Sequence, residues 1–255
     1  MALRILVCVK RVPAPGARIN ITDDGLAVDT AFLGFTTSPH EECAVEAAVQ
    51  LVEAHGGSVT VLTVGTSEAE EQLRYSLSVG ASAAVLVTTD GTDWDPQRTA
   101  TAILDAVQVL EANGVFDLVL FGNESADSGG FQVGVRCAVA LGRPMVNGGK
   151  GLVIDGEFAI VRREADAGQE VYRLPMPAVV GVKEGISLPR YPSMKGRLAS
   201  KKVEILRHES TAEAGGQRLV TLARAAEVAS STVILGHGTD AAPAVVDLLE
   251  SLGVR

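Results

Sequence analysis

A glycine-rich segment at residues 122–134 has the composition of a phosphate-binding loop. It contains Gly122, Gly129, Gly130 and Gly134, and glycine lets the backbone approach a ligand closely. An apolar run precedes the segment and a helical pattern follows it. A strand that leads through such a loop into a helix directs free backbone N–H groups at an anion. The segment therefore predicts a nucleotide site, although it matches neither Walker A nor GxGxxG.

The histidines and cysteines do not form a catalytic or metal-binding pattern. None of the 4 histidines has the spacing of a metal ligand. Cys8, Cys43 and Cys137 stand alone in apolar surroundings, which indicates small buried residues rather than a disulfide framework. The sequence also offers no Ser/His/Asp or Cys/His arrangement for nucleophilic catalysis. We expect a protein that is not an enzyme of bond chemistry and that holds no metal.

Charge and hydropathy exclude several classes of partner. The formal net charge is -9, whereas nucleic acids and anionic membranes require a basic surface. No stretch reaches the ~18 apolar residues of a membrane-spanning helix. The amino terminus passes directly into an apolar run that Lys10 and Arg11 follow, which predicts a first strand and not a signal peptide. We expect a cytoplasmic protein that is not membrane-embedded.

Apolar runs alternate with helical patterns along the first half of the chain. The helical patterns cover residues 39–54, 67–80 and 96–113. Ser38 and Glu41 have the spacing of a capping box at the start of the first of these helices. The order predicts an α/β fold with a doubly wound, mostly parallel sheet and right-handed crossovers. Its predicted strands are Ile5–Val9, Ser58–Val64, Ala83–Val87 and Leu118–Phe121.

Three further segments depart from this alternation. Residues 18–28 alternate around an Asp-Asp-Gly turn and predict an inserted hairpin. Residues 152–173 predict a β-meander, which a buried strand at 177–182 follows. We divide the chain into a nucleotide-binding domain at 1–204 and a tail at 205–255. The tail ends in a predicted helix at 242–252 and is interpreted as an arm that packs on a partner, with a disordered tail as the alternative.

Residues 183–202, here named the docking segment, are basic and interrupted by prolines. A solvated connecting loop is one interpretation. Apolar side chains displayed among cations favour another, a surface for protein partners. The predicted partner-binding residues are Tyr191, Met194, Lys195, Arg197, Leu198, Lys201 and Lys202.

Six motifs, in order over about four-fifths of the chain, resemble the β subunit of electron transfer flavoprotein. The resemblance implies an adenine nucleotide alpha hydrolase-like fold and a heterodimer with an α subunit that shares FAD. It also implies a structural AMP in this chain, partner dehydrogenases as electron donors and a quinone oxidoreductase as acceptor. The motifs span residues 6–13, 38–49, 77–81, 122–134, 174–180 and 188–193.

The resemblance also implies residue roles. Met194 occupies the position of a leucine that anchors dehydrogenases, and Lys201 and Lys202 that of a lysine cluster. By position, the nucleotide pocket is lined by Cys8, Val9, Ser38, Pro39, His40, Glu41, Val64, Gly65, Gly122, Asn123, Asp127, Ser128, Gly129, Gly130, Phe131, Gln132, Val133 and Gly134.

Two alternatives to an AMP-holding subunit stay open. Val133 stands where AMP-binding members often have threonine, so a phosphate ligand is lost and the motif approaches the Gln-Val-Gly form of bifurcating relatives. In those relatives a second FAD replaces AMP and NADH is the donor. A free-standing adenine-nucleotide-binding protein of the stress type would share the general fold, because fold does not fix function.

Overall fold

In a computed structural model, which describes residues 2–225 and 232–254, the long apolar runs form buried strands and the amphipathic segments form helices. The strands are β1 Leu3–Cys8, β2 Arg11–Pro13, β3 Asn20–Ile21, β4 Val28–Asp29, β5 Phe35–Thr37, β6 Gly57–Gly65, β7 Ala83–Thr88, β8 Leu118–Gly122, β9 Met145–Asp155, β10 Phe158–Ala165, β11 Gly168–Pro175, β12 Ala178–Val182 and β13 Ile205–Glu209. The helices are α1 Pro39–His55, α2 Glu70–Ser78, α3 Pro96–Glu111, α4 Val133–Leu141, α5 Met194–Ser200 and α6 Ala242–Ser251.

Within the described residues, one large sheet has the strand order β11-β10-β9-β12-β8-β1-β6-β7-β13. All of its neighbouring pairs are parallel except those of β10, which is antiparallel to both β9 and β11. The predicted α/β class with a mostly parallel sheet is therefore confirmed. Strands β9 to β11 form an antiparallel extension at one edge, and β3 pairs with β4 in a separate two-stranded ribbon.

Helices cover both faces of the sheet, which is why the central strands are apolar on both sides. Residues of α1 and α2 share one buried core with one face of the sheet, and residues of α3 and α4 share a second core with the other face. Asp95 caps α3, because its side chain accepts the backbone N–H groups of Gln97 and Arg98. The three cysteines are buried, as predicted.

The strand order reverses beside β1. From β1 the chain proceeds outward to β6 and β7, and it then returns to place β8 on the other side of β1. In doubly wound sheets, ligands bind at the carboxyl ends of the strands where the order reverses. A ligand is therefore expected beside the residues that follow β1 and β8.

The carboxyl-terminal part differs from the prediction. Residues 205–209, placed in the tail from the sequence, form β13 and pair with β7 at the edge of the large sheet. The chain divides into two compact units between Val220 and Thr221, so the boundary lies beyond residue 204. Residues 226–231 and 255 of the predicted arm lie outside the described residues. In the described part, none of the helices has both the length and the hydropathy to cross a bilayer.

Candidate functional site

A cleft of about 460 Å³ lies between the start of α1, the loop after β8 and the segment after β12. Since β8 adjoins β1, the cleft is at the reversal of strand order where a ligand is expected. Of the predicted nucleotide residues, Pro39, His40, Asp127, Ser128 and Gly129 line this cleft. Its wall also contains four residues that were not predicted: Glu124, Ser125, Ala126 and Glu184.

An ion pair ties the glycine-rich loop to the end of β1. The Nζ atom of Lys10 lies 2.7 Å from Oδ2 and 2.9 Å from Oδ1 of Asp127. Asp127 Oδ1 also accepts the backbone N–H of Ser128 at 2.8 Å. Partial burial opposes ionisation, but the charge of Lys10 and these hydrogen bonds hold the pKa of Asp127 below its ordinary value. Asp127 therefore shapes the loop as an anion and offers no complementary charge to a phosphate.

Glu41 is a buried carboxyl group directly beneath the loop. Its Oε2 accepts the backbone N–H of Lys10 at 2.7 Å. Burial raises the pKa of Glu41 to about 8, and the Lys10 hydrogen bond and charge reduce this effect only in part. Gly122 permits the close approach of β8, because a Cβ atom there would lie 2.8 Å from Glu41 Cγ.

The predicted capping box is wrong in its serine half. The side chain of Ser38 makes no capping hydrogen bond, and its hydroxyl is buried without a partner among the described residues. The glutamate half is present, because the carboxyl group of Glu41 accepts the backbone N–H of Ser38 as well as that of Lys10. An unpartnered buried hydroxyl costs about 1–3 kcal/mol, so a polar group supplied by a ligand or water would stabilise this position.

His40 joins two walls of the cleft. Its Nδ1 accepts the backbone N–H of Glu184 at 2.8 Å, so Nδ1 carries no proton in this arrangement. The neutral ring then bears its proton on Nε2, which lies 3.4 Å from Oε1 of Glu124. The predicted site residue His40 is thus fixed in one tautomer by groups from two other segments.

The end of the loop has the geometry of an anion site. Helix α4 begins at Val133, and the N–H groups in the first turn of a helix lack intrahelical acceptors. Gly129 and Phe131 both have positive φ angles, 54° and 53°, and such alternation makes N–H groups converge. A Cβ atom at Gly129 or Gly130 would meet no atom within 4 Å, so open space adjoins these glycines. These features fit a phosphate group.

Phe131 adopts this left-handed conformation although it is not glycine, at a cost of roughly 1–2 kcal/mol. Backbone strain of this kind clusters at ligand sites.

Other predicted residues of the loop are held by contacts within the chain. Gln132 accepts hydrogen bonds from Arg136 through Oε1, and Asn123 donates its backbone N–H to Val182. A Cβ atom at Gly134 would lie 3.2 Å from Phe121, so a larger residue at this position would displace the Phe121 ring.

The remaining predicted nucleotide residues lie outside the cleft wall. Cys8 and Val9 are buried at the end of β1, and burial raises the pKa of the Cys8 thiol well above its ordinary value. Val64 and Gly65 end β6, where the carbonyl of Gly65 accepts the N–H of Thr89. Cys8 and Val9 are buried and Gly65 has no side chain, so these three residues would reach a ligand through backbone atoms.

The docking segment contains a helix and is not only a loop. Ser193 caps α5 by accepting the N–H of Gly196 at 3.0 Å. Four large apolar side chains project into solvent, with exposed fractions of 88%, 94%, 75% and 59% for Leu188, Tyr191, Met194 and Leu198. The predicted cations Lys195, Arg197, Lys201 and Lys202 are exposed as well.

Helices α1 and α2 hold this segment in place. Ser187 donates its hydroxyl to the carbonyl of Cys43 at 3.0 Å, and Arg190 pairs with two glutamates of α1. Arg74 of α2 donates to the carbonyl of Ser200. A Cβ atom at Gly196 would lie 2.2 Å from the carbonyl oxygen of Ser78, so α5 packs directly on the end of α2.

The carboxyl-terminal unit has little apolar burial of its own. None of the residues of α6 is buried. The large apolar side chains from Val245 to Leu252, the residue after the helix, are 41–67% exposed. An amphipathic helix with an uncovered apolar face is typical of segments that pack on another surface. The exposed residues are Val245, Val246, Leu248, Leu249 and Leu252.

Comparison with known proteins identifies the family. The family model described as the electron transfer flavoprotein domain matches residues 26–213. The chain is 36% identical over 203 residues to the electron transfer flavoprotein subunit beta of Syntrophomonas wolfei, which covers 79% of this chain and 78% of that one. It is 36% identical over 207 residues to the subunit of the same name from Mycobacterium bovis, with 79% and 77% covered. The corresponding subunit of Megasphaera elsdenii is 29% identical over 225 residues, with 86% and 83% covered. The chain therefore belongs to the electron transfer flavoprotein family, and within it to the β subunits.

Proposed function

We propose that this chain forms a heterodimer with an electron transfer flavoprotein α subunit and carries electrons between proteins without a catalytic residue of its own. Electrons would enter from partner dehydrogenases, pass through FAD shared with the α subunit, and leave to a quinone oxidoreductase. One observation carries the proposal: α1 borders both the nucleotide cleft and the exposed docking segment. A carrier needs these two features together, a bound cofactor and a surface for exchangeable partners.

AMP is the ligand that we propose for the cleft. The N–H groups at the start of α4 and the open space beside Gly129 and Gly130 suit its phosphate. Strand-end backbone at Cys8 and Val64 offers hydrogen bonds to adenine. Asp127 and Glu124 suit ribose hydroxyls better than phosphate, because both are acidic.

FAD supplies one-electron and two-electron chemistry when it is bound, and the α subunit would hold most of it. This chain would contribute positioning groups near His40, whose tautomer is fixed by Glu184. The uncovered face of α6 supports an arm that packs on the α subunit. A cytoplasmic location is part of the same proposal.

Partner dehydrogenases would dock on α5. Met194 and Tyr191 offer apolar anchors, and the surrounding cations would attract acidic partner surfaces. The net charge of the whole chain is -9, so this basic segment is a local feature of opposite sign. Such a surface suits brief association, in which electrostatic attraction increases the rate of encounter.

Identification of the bound small molecule tests the proposal. The chain is coexpressed with its α subunit, the complex is purified and denatured, and the released nucleotide is identified by mass spectrometry. AMP together with one FAD per heterodimer supports an ordinary carrier. Two FAD molecules and reduction by NADH would instead support a bifurcating subunit, which the apolar Val133 at the start of α4 favours. A flavin-free monomer that exchanges ATP would contradict both and indicate a nucleotide-binding stress-type protein.

A further inference from the structure

Arg190 is bound to α1 by both of its charged edges. Its Nε and Nη2 atoms donate to the carboxylate of Glu46 at 2.9 and 3.0 Å, and its backbone N–H donates to the same group at 3.2 Å. Its Nη1 and Nη2 atoms donate to the carboxylate of Glu53 at 2.6 and 2.9 Å. Glu46 and Glu53 are seven positions apart, so they lie two turns apart on one face of the helix.

This arrangement is costly to break. Glu46 is buried, and Gln50 donates a further hydrogen bond to it at 2.7 Å. Burial alone would raise the pKa of Glu46, but the hydrogen bonds from Arg190 and Gln50 hold it below its ordinary value. The two carboxylates raise the pKa of Arg190. Removal of Arg190 would leave a buried carboxylate without its partner, which is strongly destabilising.

Arg190 directly precedes the side chains that a partner would contact. Tyr191 is 94% exposed and Met194 is 75% exposed, so neither is held by packing within this chain. The backbone between them is fixed at one end by Arg190 and at the other by the contact of Gly196 with Ser78. The apolar side chains therefore project from a stretch of backbone that the rest of the chain holds at both ends.

We propose that Arg190 is a positioning residue for partner docking, which fixes residues 191–198 in the conformation that a partner protein binds. This inference rests on the proposed function of the docking segment. A segment ordered before association does not lose conformational entropy when the partner binds, and preorganisation of this kind strengthens binding without a new contact. Arg190 acts through Tyr191 and Met194 and does not itself need to touch the partner.

The test uses the intact heterodimer and a dehydrogenase that reduces its flavin. The dehydrogenase is purified from the organism that produces this chain, and the fractions are assayed by the loss of flavin absorbance when the heterodimer is reduced. Two variants loosen the contacts of Arg190. Arg190→Lys keeps the charge but loses the planar fork, and Glu53→Ala removes two hydrogen bonds without stranding a buried charge, because Glu53 is 56% exposed. Arg143→Lys is the matched control, since Arg143 donates to both oxygens of Glu111 at 2.7 and 2.8 Å and lies outside the docking segment.

We expect Arg190→Lys and Glu53→Ala to raise the KM for the heterodimer about tenfold with kcat unchanged. Amide hydrogen exchange at residues 191–200 should accelerate, while FAD and AMP contents stay the same. Arg143→Lys should change none of these values.

Two results would overturn the inference while leaving docking intact: an unchanged KM in both variants while Met194→Ala raises it, or an equal rise in Arg143→Lys. If the KM is unchanged in Met194→Ala as well, partners do not bind at the docking segment. The proposed function of this segment and the inference about Arg190 would then both be wrong.

Discussion

The Nδ1 atom of His40 accepts the backbone N–H of Glu184 at 2.8 Å, and this bond joins the first turn of α1 to the start of the docking segment. Two further contacts repeat the same separation of 144 positions, Cys43 with Ser187 and Glu46 with Arg190. The three α1 positions are spaced by three residues, so they follow one edge of the helix. The wall of the cleft and the docking segment therefore share one support.

Replacement of His40 should release this junction. His40→Ala removes the acceptor for the Glu184 N–H, which should speed hydrogen exchange of that amide about fivefold, because a net hydrogen bond contributes about 1 kcal/mol. His55→Ala, an exposed position at the end of α1, is the control and should leave the Glu184 amide unchanged. Equal exchange rates in both variants would show that the His40 contact does not hold the segment.

The ion pair between Lys10 and Asp127 should govern nucleotide retention. Lys10→Gln removes the cation that pairs with Asp127 and holds the glycine-rich loop. The backbone N–H groups that follow Asp127 in this loop should then lose their fixed position. We expect AMP to dissociate several-fold faster from the purified heterodimer, as measured by competition with labelled nucleotide. Lys150→Gln breaks a surface pair of the same length, 2.7 Å to Glu164, and serves as control. An unaltered rate of AMP dissociation in Lys10→Gln would show that the loop does not hold the nucleotide.

Lys201 and Lys202 should control the rate of encounter with dehydrogenases. Reversal of both charges, Lys201→Glu with Lys202→Glu, should slow flavin reduction about tenfold at low ionic strength. At ~1 M salt the Debye length falls to about 3 Å, so the variant and the wild type should converge. Stopped-flow reduction across a salt series measures both effects. A difference that persists at high salt would show that the lysines contact the partner directly.

The apolar periodicity was sufficient to predict the central sheet. Continuous apolar runs are required for parallel strands that are buried on both faces, and this pattern marks β1, β6, β7 and β8. Strand β13 was missed because Arg207, His208 and Glu209 interrupt its apolar pattern, as is common at an exposed sheet edge. Helix α5 was missed because Pro189 and Pro192 suggested a loop, although both prolines precede its first residue.

The candidate site was predictable only where it follows strand ends. The loop after β8 is recognisable from its glycines and from the elements on either side. Glu184 could not be found in this way, because its contact with His40 depends on the return of a distant strand to the centre of the sheet. The unpaired hydroxyl of Ser38 was also unpredictable, since the local sequence favoured the capping box.

Glu41 should make the stability of the protein depend on pH. Its pKa is about 8 in the folded chain, whereas the ordinary pKa of an exposed glutamate is 4.5, so between these values the folded state holds a proton that the unfolded state has lost. The unfolding free energy should therefore fall as pH rises through this window, by up to about 1.4 kcal/mol per pH unit from this group. Below pH 4.5 the carboxyl is protonated in both states, and above pH 8 it is ionised in both, so its contribution becomes constant.

Glu41→Gln tests this dependence because the amide has nearly the same shape and does not titrate. Urea unfolding of the heterodimer from pH 5 to pH 9 should show a steeper loss of stability in the wild type than in Glu41→Gln, with the variant relatively more stable at the alkaline end. Glu42→Gln, the adjacent residue on α1, is the control. Its burial also raises the pKa, but Glu42 is only partly buried and so should contribute a smaller slope. Parallel curves for Glu41→Gln and the wild type would mean that Glu41 is ionised in the folded state throughout this range, with Lys10 compensating its burial in full.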